Sequence, residues 1–313
     1  MINAVLILDK PSGLTSHDVV NRIRRITSER GVGHLGTLDP MATGVLPLVL
    51  GRFTRLAQFF NDSRKVYEGE ITFGFATDTY DAEGLPIGPV LAAQPTLVEI
   101  HRHLSALTGP ILQRPPIYSA KKIQGVAAYK LARKETPVEM KLVPVIVHRF
   151  EISGVCGDRA RFVAEVSAGT YIRSLAHDLG QALGCGAHLS KLRRTQAGEF
   201  NLAHAVTIEA LTAYQQTLPP PHVVSNLSEY TLSDELMRAG SVSPFIHPRL
   251  ILPKLPCVTA TPAQIAYIRN GRPVNLPEFS DAPLVKVFAS QSELFAVAQR
   301  IAGTLFRPKV VLG

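Results

Sequence analysis

The hydrophobic positions at the start of the chain change from a continuous run to a helical period. Residues 5–8 are all apolar and are followed by Asp-Lys-Pro-Ser-Gly, a pattern that predicts a buried strand entering a turn. Ser16 is the predicted N-cap of a helix, because apolar side chains recur at three- and four-residue spacing over residues 19–26. The arginines of this segment lie off the apolar stripe. Taken alone, such a basic amphipathic helix indicates no more than a solvated face.

Period-two alternation predicts strands further along the chain. Tyr67 falls on the apolar face of the alternating residues 66–73, so its side chain is expected to point inward. The same pattern predicts strands at residues 145–152 and 161–166. Helices are predicted from a capping box at Thr96, over residues 172–183 and after Thr207. This mixture indicates an α+β fold, with a mixed or antiparallel sheet flanked by helices.

Prolines interrupt the periodicity over residues 217–256, apart from a short helical candidate at residues 232–238. We therefore predict a large domain over residues 1–250 and a small one over residues 251–313. In the small domain, Thr261 opens a capping box with proline at the first helical position, and strands are predicted at residues 284–289 and 294–298. The small domain is predicted to be mostly β.

Composition narrows the class of protein. The 313 residues are 46% hydrophobic and 19% charged, which is typical of a globular chain and excludes extensive disorder. Lys and Arg number 33 against 25 Asp and Glu, so the net charge of +8 indicates an anionic partner. The three cysteines are far apart, and no secretory leader or long apolar stretch is recognisable. The sequence predicts a cytoplasmic protein that makes no use of a membrane.

Residues 33–47 form a glycine-punctuated loop that brings His34 and Asp39 close together in sequence. Considered as a dipeptide, Asp39-Pro40 is most simply a helix start, with aspartate as N-cap and proline at the first helical position. An isolated loop histidine such as His34 is usually a surface residue. The glycine spacing fits neither a P-loop nor a dinucleotide-binding turn, so no nucleotide cofactor is expected.

A second polar segment, residues 77–84, contains three carboxylates. Their spacing is not that of a calcium loop, and a polar turn after the preceding strand accounts for them. The histidines form no metal-ligand motif. We expect neither a metal nor another cofactor.

Six motifs occur in one order over about the first 210 residues. They are Lys10-Pro11-x-Gly13-x-Thr15-Ser16, the loop at 33–47, Thr77-Asp78-Thr79-x-Asp81-x-x-Gly84, Pro115-Pro116-x-Tyr118-Ser119-Ala120-x-Lys122, Gly169-Thr170-Tyr171-Ile172-Arg173-Ser174-Leu175 and Leu192-Arg193-Arg194-Thr195. In these motifs and their order the chain resembles the TruB-type tRNA pseudouridine synthases. Its small C-terminal domain resembles a PUA domain, an RNA-binding β-barrel.

The resemblance implies a cofactor-free isomerase that detaches a uracil from its ribose, turns it and rejoins it through carbon. The substrate would be the T-loop uridine at conventional tRNA position 55. The residues carried over by position are the catalytic aspartate Asp39, the base-stacking Tyr67, the aspartate's partner Arg173, the base-pocket residues Tyr171 and Leu192, and His34 at the place from which the base was extruded.

The residue types suit this chemistry. A carboxylate such as Asp39 is an established nucleophile for covalent catalysis. Apolar walls disfavour its ionised form, and a guanidinium beside it, here Arg173, restores that form. A base taken out of a folded loop is held by stacking on aromatic and apolar side chains.

The resemblance also implies how RNA is held. Residues 113–141 resemble the family's thumb insertion, which closes on the T-arm. The candidate phosphate contacts are Lys121, Lys122, Lys130, Arg133, Arg193 and Arg194. We expect a monomer that recognises the tRNA T-arm directly, without a guide RNA. Two alternatives stay open: a non-catalytic tRNA-binding or RNA-folding protein, and a guide-RNA-dependent synthase acting on ribosomal RNA.

Overall fold

A computed structural model describes residues 2–60, 63–119, 121–123, 125–132, 140–217 and 243–313. The helices are α1 (Ser16–Thr27), α2 (Leu97–Leu104), α3 (Ala128–Ala132), α4 (Ile172–Ala182), α5 (Ile208–Thr217) and α6 (Pro262–Arg269), with 3-10 turns at Gly51–Phe59, Ser105–Leu107 and Leu202–His204. The strands are β1 (Ala4–Lys10), β2 (Val32–His34), β3 (Thr43–Leu50), β4 (Lys65–Phe73), β5 (Ala76–Thr77), β6 (Pro86–Ile87), β7 (Gly109–Gln113), β8 (Lys122–Ile123), β9 (Val126–Ala127), β10 (Val143–Cys156), β11 (Arg159–Val166), β12 (Ala187–Ala197), β13 (Phe200–Asn201), β14 (Phe245–Ile246), β15 (Cys257–Thr259), β16 (Val274–Asn275), β17 (Leu284–Phe288), β18 (Leu294–Ala302) and β19 (Leu305–Val311).

The chain packs into two units. Unit 1 comprises Met1–Leu38, Val45–Asn61 and Glu199–Gly313, and unit 2 comprises Asp39–Gly44 and Asp62–Gly198. The sequence-based boundary at residue 250 falls inside unit 1, and the division into domains 1–250 and 251–313 stays a prediction. The helical candidate at residues 232–238 lies outside the described residues.

In unit 1, β1 is a buried strand, as the apolar run at residues 5–8 predicts. It pairs antiparallel with β14, where Val5 lies opposite Ile246, and β2 pairs antiparallel with β3. Helix α1 buries Val19, Val20 and Ile23, which confirms its apolar stripe. The expected N-cap is wrong by one residue. Thr15 caps the helix in a reciprocal capping box with Asp18, because a carboxylate stands three residues after Thr15 and none stands three residues after Ser16.

The last part of unit 1 is a five-stranded sheet in the order β15-β17-β18-β19-β16, with α6 beside it. Its core includes Val285, Val287 and Phe306. This arrangement confirms the mostly β character predicted for the C-terminal region. One cation is buried here: the Lys286 ammonium donates to two backbone carbonyls outside the sheet, Arg249 O at 2.8 Å and Ile251 O at 2.7 Å.

Unit 2 is built on an antiparallel sheet in the order β12-β4-β11-β10-β7. Helix α4 packs on β12 and α2 packs on β10. α4 buries Ile172, Leu175 and Leu179, the spacing of one helix face, so the predicted helix and its orientation are confirmed. At the far side of β12, the first two residues of β3 add a short parallel pairing.

Gly44 makes that parallel pairing possible. Its φ of +98° is unfavourable for residues with a side chain, and a Cβ at this position would collide with the carbonyl oxygen of Arg194. The close approach of the two backbones brings the chain segment that carries Asp39 against β12.

Candidate active site

Asp39 lies in the loop that connects β2 to β3. No helix begins at this residue, so the N-cap interpretation of Asp39-Pro40 is wrong: the Asp39 carbonyl accepts from Ala42 N at 3.1 Å in a tight turn, and the chain then enters β3. The residue before it is fixed by Ser16, whose hydroxyl accepts from Leu38 N at 2.8 Å and donates to Leu38 O at 3.0 Å. The Asp39 side chain is therefore available for a partner other than a helix end.

That partner is Arg173, in the first turn of α4. Its Nη2 donates to Asp39 Oδ1 at 3.0 Å, and its Nε lies 2.9 Å from Oδ2, where the contact is ionic rather than a directed hydrogen bond. Arg173 is only 5% exposed, whereas 31% of the Asp39 side chain reaches solvent. The guanidinium is thus a buried, fixed cation that presents a partly accessible carboxylate.

Arg173 has three further partners. Nη1 donates to the Thr79 carbonyl at 2.9 Å and lies 3.3 Å from Asp81 Oδ2, and Nη2 donates to the Tyr118 carbonyl at 3.0 Å. Asp81 is buried, with its side chain 4% exposed. The guanidinium therefore lies between two carboxylates, which fixes its plane more firmly than Asp39 alone could.

The role of Asp81 corrects the interpretation of residues 77–84 as a plain polar turn. The turn exists, since Asp78 and Thr79 make local hydrogen bonds within it, but it turns one carboxylate inward. Its central residue, Tyr80, has a φ of +64°, a left-handed conformation that is costly for a side chain of this size. The Tyr80 ring stacks on His177 of α4 at 3.8 Å between ring centroids, a contact that offsets part of that cost.

Two residues predicted for the base pocket lie on β4 and β12. Tyr67 pairs with Arg194 and Leu192 pairs with Gly69, so all four share one face of the two strands. Tyr67 and Leu192 are both buried, which confirms the inward orientation expected of Tyr67. A side chain at Gly69 would collide with the Lys191 carbonyl oxygen and with the ring of Phe162 on β11.

Tyr171 precedes α4 as its N-cap residue and is half-buried. Burial raises the pKa of the Tyr171 hydroxyl, and the charges of Arg173 and Asp39 act on it in opposite directions. Its phenol therefore lies within electrostatic range of the Asp39–Arg173 ion pair.

The side chains predicted to contact RNA differ in their exposure to solvent. Arg194 is fully buried, so it is removed from the candidate phosphate contacts, because a side chain with no exposed surface cannot reach a phosphate. Arg193 is half-buried and donates to the Thr43 hydroxyl at 3.3 Å. Lys121 is partly exposed. Arg133 lies outside the described residues, as do the side chains of Lys122 and Lys130.

His34 is the last residue of β2, opposite Leu48 of β3, in unit 1. The other candidate residues, from Asp39 to Leu192, belong to unit 2. The role given to His34 stays a prediction.

Asp178 is a half-buried carboxylate on α4 whose charge the fold disfavours. Burial raises its pKa from 3.8 to about 6, although the nearby Arg114 guanidinium acts in the opposite direction. The native state therefore holds this proton more tightly than the unfolded chain does, and this group lowers the stability as pH rises from about 4 to about 6.

We expect Asp178→Asn to raise the free energy of unfolding at about pH 7.5 by on the order of 1 kcal/mol, after allowance for partial exposure. The gain should shrink below about pH 5, where the native carboxyl is protonated. Thermal melting at the two pH values measures both effects, with exposed Asp281→Asn as the control. An equal melting temperature for wild type and Asp178→Asn at both pH values would contradict the prediction.

Neither a metal cluster nor a membrane-spanning helix is found among the described residues. No group of three or more His, Cys, Asp or Glu side chains in this part of the chain could hold a metal ion. None of the helices described above is long and apolar enough to cross a bilayer.

Comparison with known proteins identifies the family. A family model described as TruB family pseudouridylate synthase (N terminal domain) matches residues 24–172, and one described as tRNA pseudouridylate synthase B C-terminal domain matches residues 173–221. A relative from Solibacter usitatus, named tRNA pseudouridine synthase B, is 43% identical over 99% of this chain and 100% of its own length. A relative of the same name from Azoarcus sp. is 38% identical over 99% of this chain and 94% of its own length.

The chain belongs to the TruB family. The resemblance drawn from the six motifs is thereby confirmed, and the chain is an enzyme of the isomerase class, a pseudouridine synthase. A solved structure described as the archaeal box H/ACA sRNP Nop10-Cbf5 complex contains a similar chain, with a TM-score of 0.66 and 26% identity over 99% of this chain and 86% of that one. This likeness confirms the α+β fold class of the TruB-family chain.

Proposed function

We propose that this TruB-family chain isomerises the T-loop uridine at tRNA position 55 to pseudouridine, using Asp39 as the essential residue. The observation that carries the proposal is an ion pair: the partly exposed Asp39 carboxylate contacts the buried Arg173, whose guanidinium has four partners in all. The full-length relatives named tRNA pseudouridine synthase B support tRNA as the substrate.

The reaction breaks the bond between ribose C1′ and uracil N1, turns the base and forms a bond from C1′ to C5. The C5 proton is lost and N1 gains one, so substrate and product are isomers. Asp39 can promote this reaction in one of two ways. Its carboxylate attacks C1′ and later leaves, or it removes a proton from the ribose and returns it. In both, Arg173 stabilises the carboxylate and holds it in a single orientation.

The base needs walls that hold it while it is detached. Tyr67, Leu192 and Tyr171 are assigned to this role, because aromatic faces stack on a pyrimidine and an aliphatic side chain excludes water. Their burial within unit 2 supports the assignment for Tyr67 and Leu192. We assign His34 to the place vacated by the extruded base, as a side chain that can stack on neighbouring bases.

Phosphate contacts account for the net charge of +8. The candidates that remain are Lys121, Lys122, Lys130, Arg133 and Arg193, in or near the thumb-like residues 113–141 and on β12. The protein is proposed to act as a monomer on the isolated T-arm. The related chain from the H/ACA particle makes a guide-dependent activity the alternative.

The test is pseudouridine formation by the purified chain on a transcript of tRNA and on its T-arm hairpin, with no other RNA added and with excess chelator present. We expect conversion of one uridine in each RNA, and no product when cytidine replaces that uridine. A product that forms only after a guide RNA is supplied would favour the alternative. Activity that chelation removes and zinc restores would overturn the cofactor-free mechanism.

Asp81→Asn tests the second carboxylate on Arg173. The asparagine keeps the size but removes the negative charge that lies 3.3 Å from Nη1, so the guanidinium is less firmly placed. We expect turnover to fall by about tenfold with tRNA affinity within about twofold of wild type. Single-turnover rates and filter binding measure the two quantities. The matched control is Asp78→Asn in the same turn, whose carboxylate accepts from the backbone N–H of Leu85. Equal losses in both variants would show that the turn, not the charge, matters.

A further inference from the structure

Gln113 is a polar side chain with no exposed surface, at the end of β7. Its amide forms two hydrogen bonds, and both go to the backbone of Tyr171. Nε2 donates to Tyr171 O at 3.0 Å, and Oε1 accepts from Tyr171 N at 2.8 Å. A buried amide is tolerated when its groups are paired in this way, and the two-point contact fixes both the distance and the rotation of the Tyr171 peptide.

This contact lies where the chain turns into α4. Tyr171 is the N-cap residue, and its own side chain makes no capping hydrogen bond. Its carbonyl, which already accepts from Leu175 N at 3.3 Å in the first helical turn, also accepts from Gln113. Gln113 therefore sets the direction of the first turn of the helix from outside it.

Two neighbouring contacts run in parallel with this one. The Ser174 hydroxyl donates to Arg114 O at 2.7 Å, and Arg173 Nη2 donates to Tyr118 O at 3.0 Å. The segment 113–118 is thus joined to residues 171, 173 and 174, at the N-terminal end of α4, where the arginine of the candidate site lies. Any shift of segment 113–118 is transmitted to both Tyr171 and Arg173.

An alternative is that Gln113 only fills space in the interior. Methionine has nearly the same length and volume and would fill that space, but it cannot accept from Tyr171 N and donate to Tyr171 O. A purely space-filling role therefore predicts that methionine is tolerated.

We propose that Gln113 is a positioning residue for the uridine isomerisation, which orients Tyr171 and Arg173 around the reacting nucleotide and links them to the start of the thumb-like segment. The proposal rests on the proposed function. It assigns to Gln113, an uncharged residue of β7 whose described hydrogen bonds both go to Tyr171, an effect on the rate of the chemical step that acts through Tyr171 and Arg173.

The experiment compares Gln113→Met and Gln113→Glu with wild type in the full-length chain. Single-turnover rates at saturating enzyme and tRNA dissociation constants are measured from about pH 8 to about pH 5.5. Exposed Gln58→Met is the matched control, because the Gln58 amide donates to one local carbonyl on the 3-10 turn. Circular dichroism and melting temperature report the fold of each variant.

We expect Gln113→Met to lower the single-turnover rate by on the order of 30-fold with a change in tRNA dissociation constant below about threefold. Gln113→Glu should be equally slow at about pH 8, where its carboxylate repels the Tyr171 carbonyl. A protonated carboxyl donates to that carbonyl and still accepts from Tyr171 N. The rate of Gln113→Glu relative to wild type at the same pH should therefore rise at least about fivefold toward about pH 5.5, while the ratio for Gln113→Met stays flat.

The proposal is overturned if Gln113→Met turns over within about twofold of wild type, or if Gln113→Glu shows no relative recovery at low pH. If Gln113→Met folds poorly, the proposal is decided by whether the relative rate of Gln113→Glu recovers at low pH. A wild-type chain that converts no uridine in tRNA would contradict the proposed function and this inference with it. Active wild type with unaffected Gln113 variants would contradict only the inference.

Discussion

Asp39→Asn is expected to abolish pseudouridine formation, with a loss of at least about a thousandfold in single-turnover rate. The amide has the size of the carboxylate but is neither a nucleophile nor a base. It also pairs poorly with Arg173, whose Nη2 and Nε face the two carboxylate oxygens at 3.0 and 2.9 Å. Binding of tRNA should stay within about threefold of wild type, because phosphate contacts made elsewhere dominate the affinity.

Two quantities are measured: the single-turnover rate of pseudouridine formation and the equilibrium dissociation constant for the same tRNA. Asp158→Asn is the matched control, since Asp158 is an exposed aspartate next to Arg159 in unit 2. A rate for Asp39→Asn within tenfold of wild type would remove Asp39 from the chemistry. A rate loss fully explained by weaker binding would make it an RNA contact.

Arg173→Lys should give the second-largest effect, a fall in turnover of about a hundredfold with a much smaller change in affinity. The guanidinium uses Nε, Nη1 and Nη2 to reach two carboxylates and two carbonyls. The lysine ammonium is a point charge on a shorter side chain. It keeps the net charge but cannot contact all of these partners at the same time.

Because Arg173 is 5% exposed, partners left without a hydrogen bond would also destabilise the variant by about 1 to 3 kcal/mol. Rates are therefore to be measured well below its melting temperature. Arg159→Lys is the matched control, because Arg159 is an exposed arginine that forms an ion pair with Glu70. If Arg173→Lys lost affinity while its rate at saturation stayed unchanged, Arg173 would be a phosphate contact instead.

Local patterns explain what sequence could predict. The apolar stripe of α4 and the alternation around Tyr67 are set by neighbours within a few residues, so periodicity locates both elements. The motif order locates Asp39 and Arg173 but gives no distance between them. They are 134 residues apart, and the pairing of β3 with β12 and the packing of α4 on β12 help to bring them to 3.0 Å.

The wrong or incomplete predictions have equally specific causes. The polar turn predicted at residues 77–84 exists, but the burial of Asp81 within it depends on Arg173, a partner on a distant helix. The resemblance makes both Arg193 and Arg194 candidate phosphate contacts, although they are adjacent residues of one strand. Successive strand residues point to opposite faces, so one of the two arginines had to face the interior, and the alternation around Leu192 indicates Arg194.

The make-up of unit 1 has a consequence for how the chain is synthesised. The neighbours of β1 include β14 and Val206, and the Arg52 guanidinium donates to Leu312 O at 3.0 Å. These partners leave the ribosome long after the residues they pair with, whereas every segment of unit 2 lies before Glu199. A nascent chain can therefore complete unit 2 while β1 still has an open edge, which is a period when a chaperone would have most to protect.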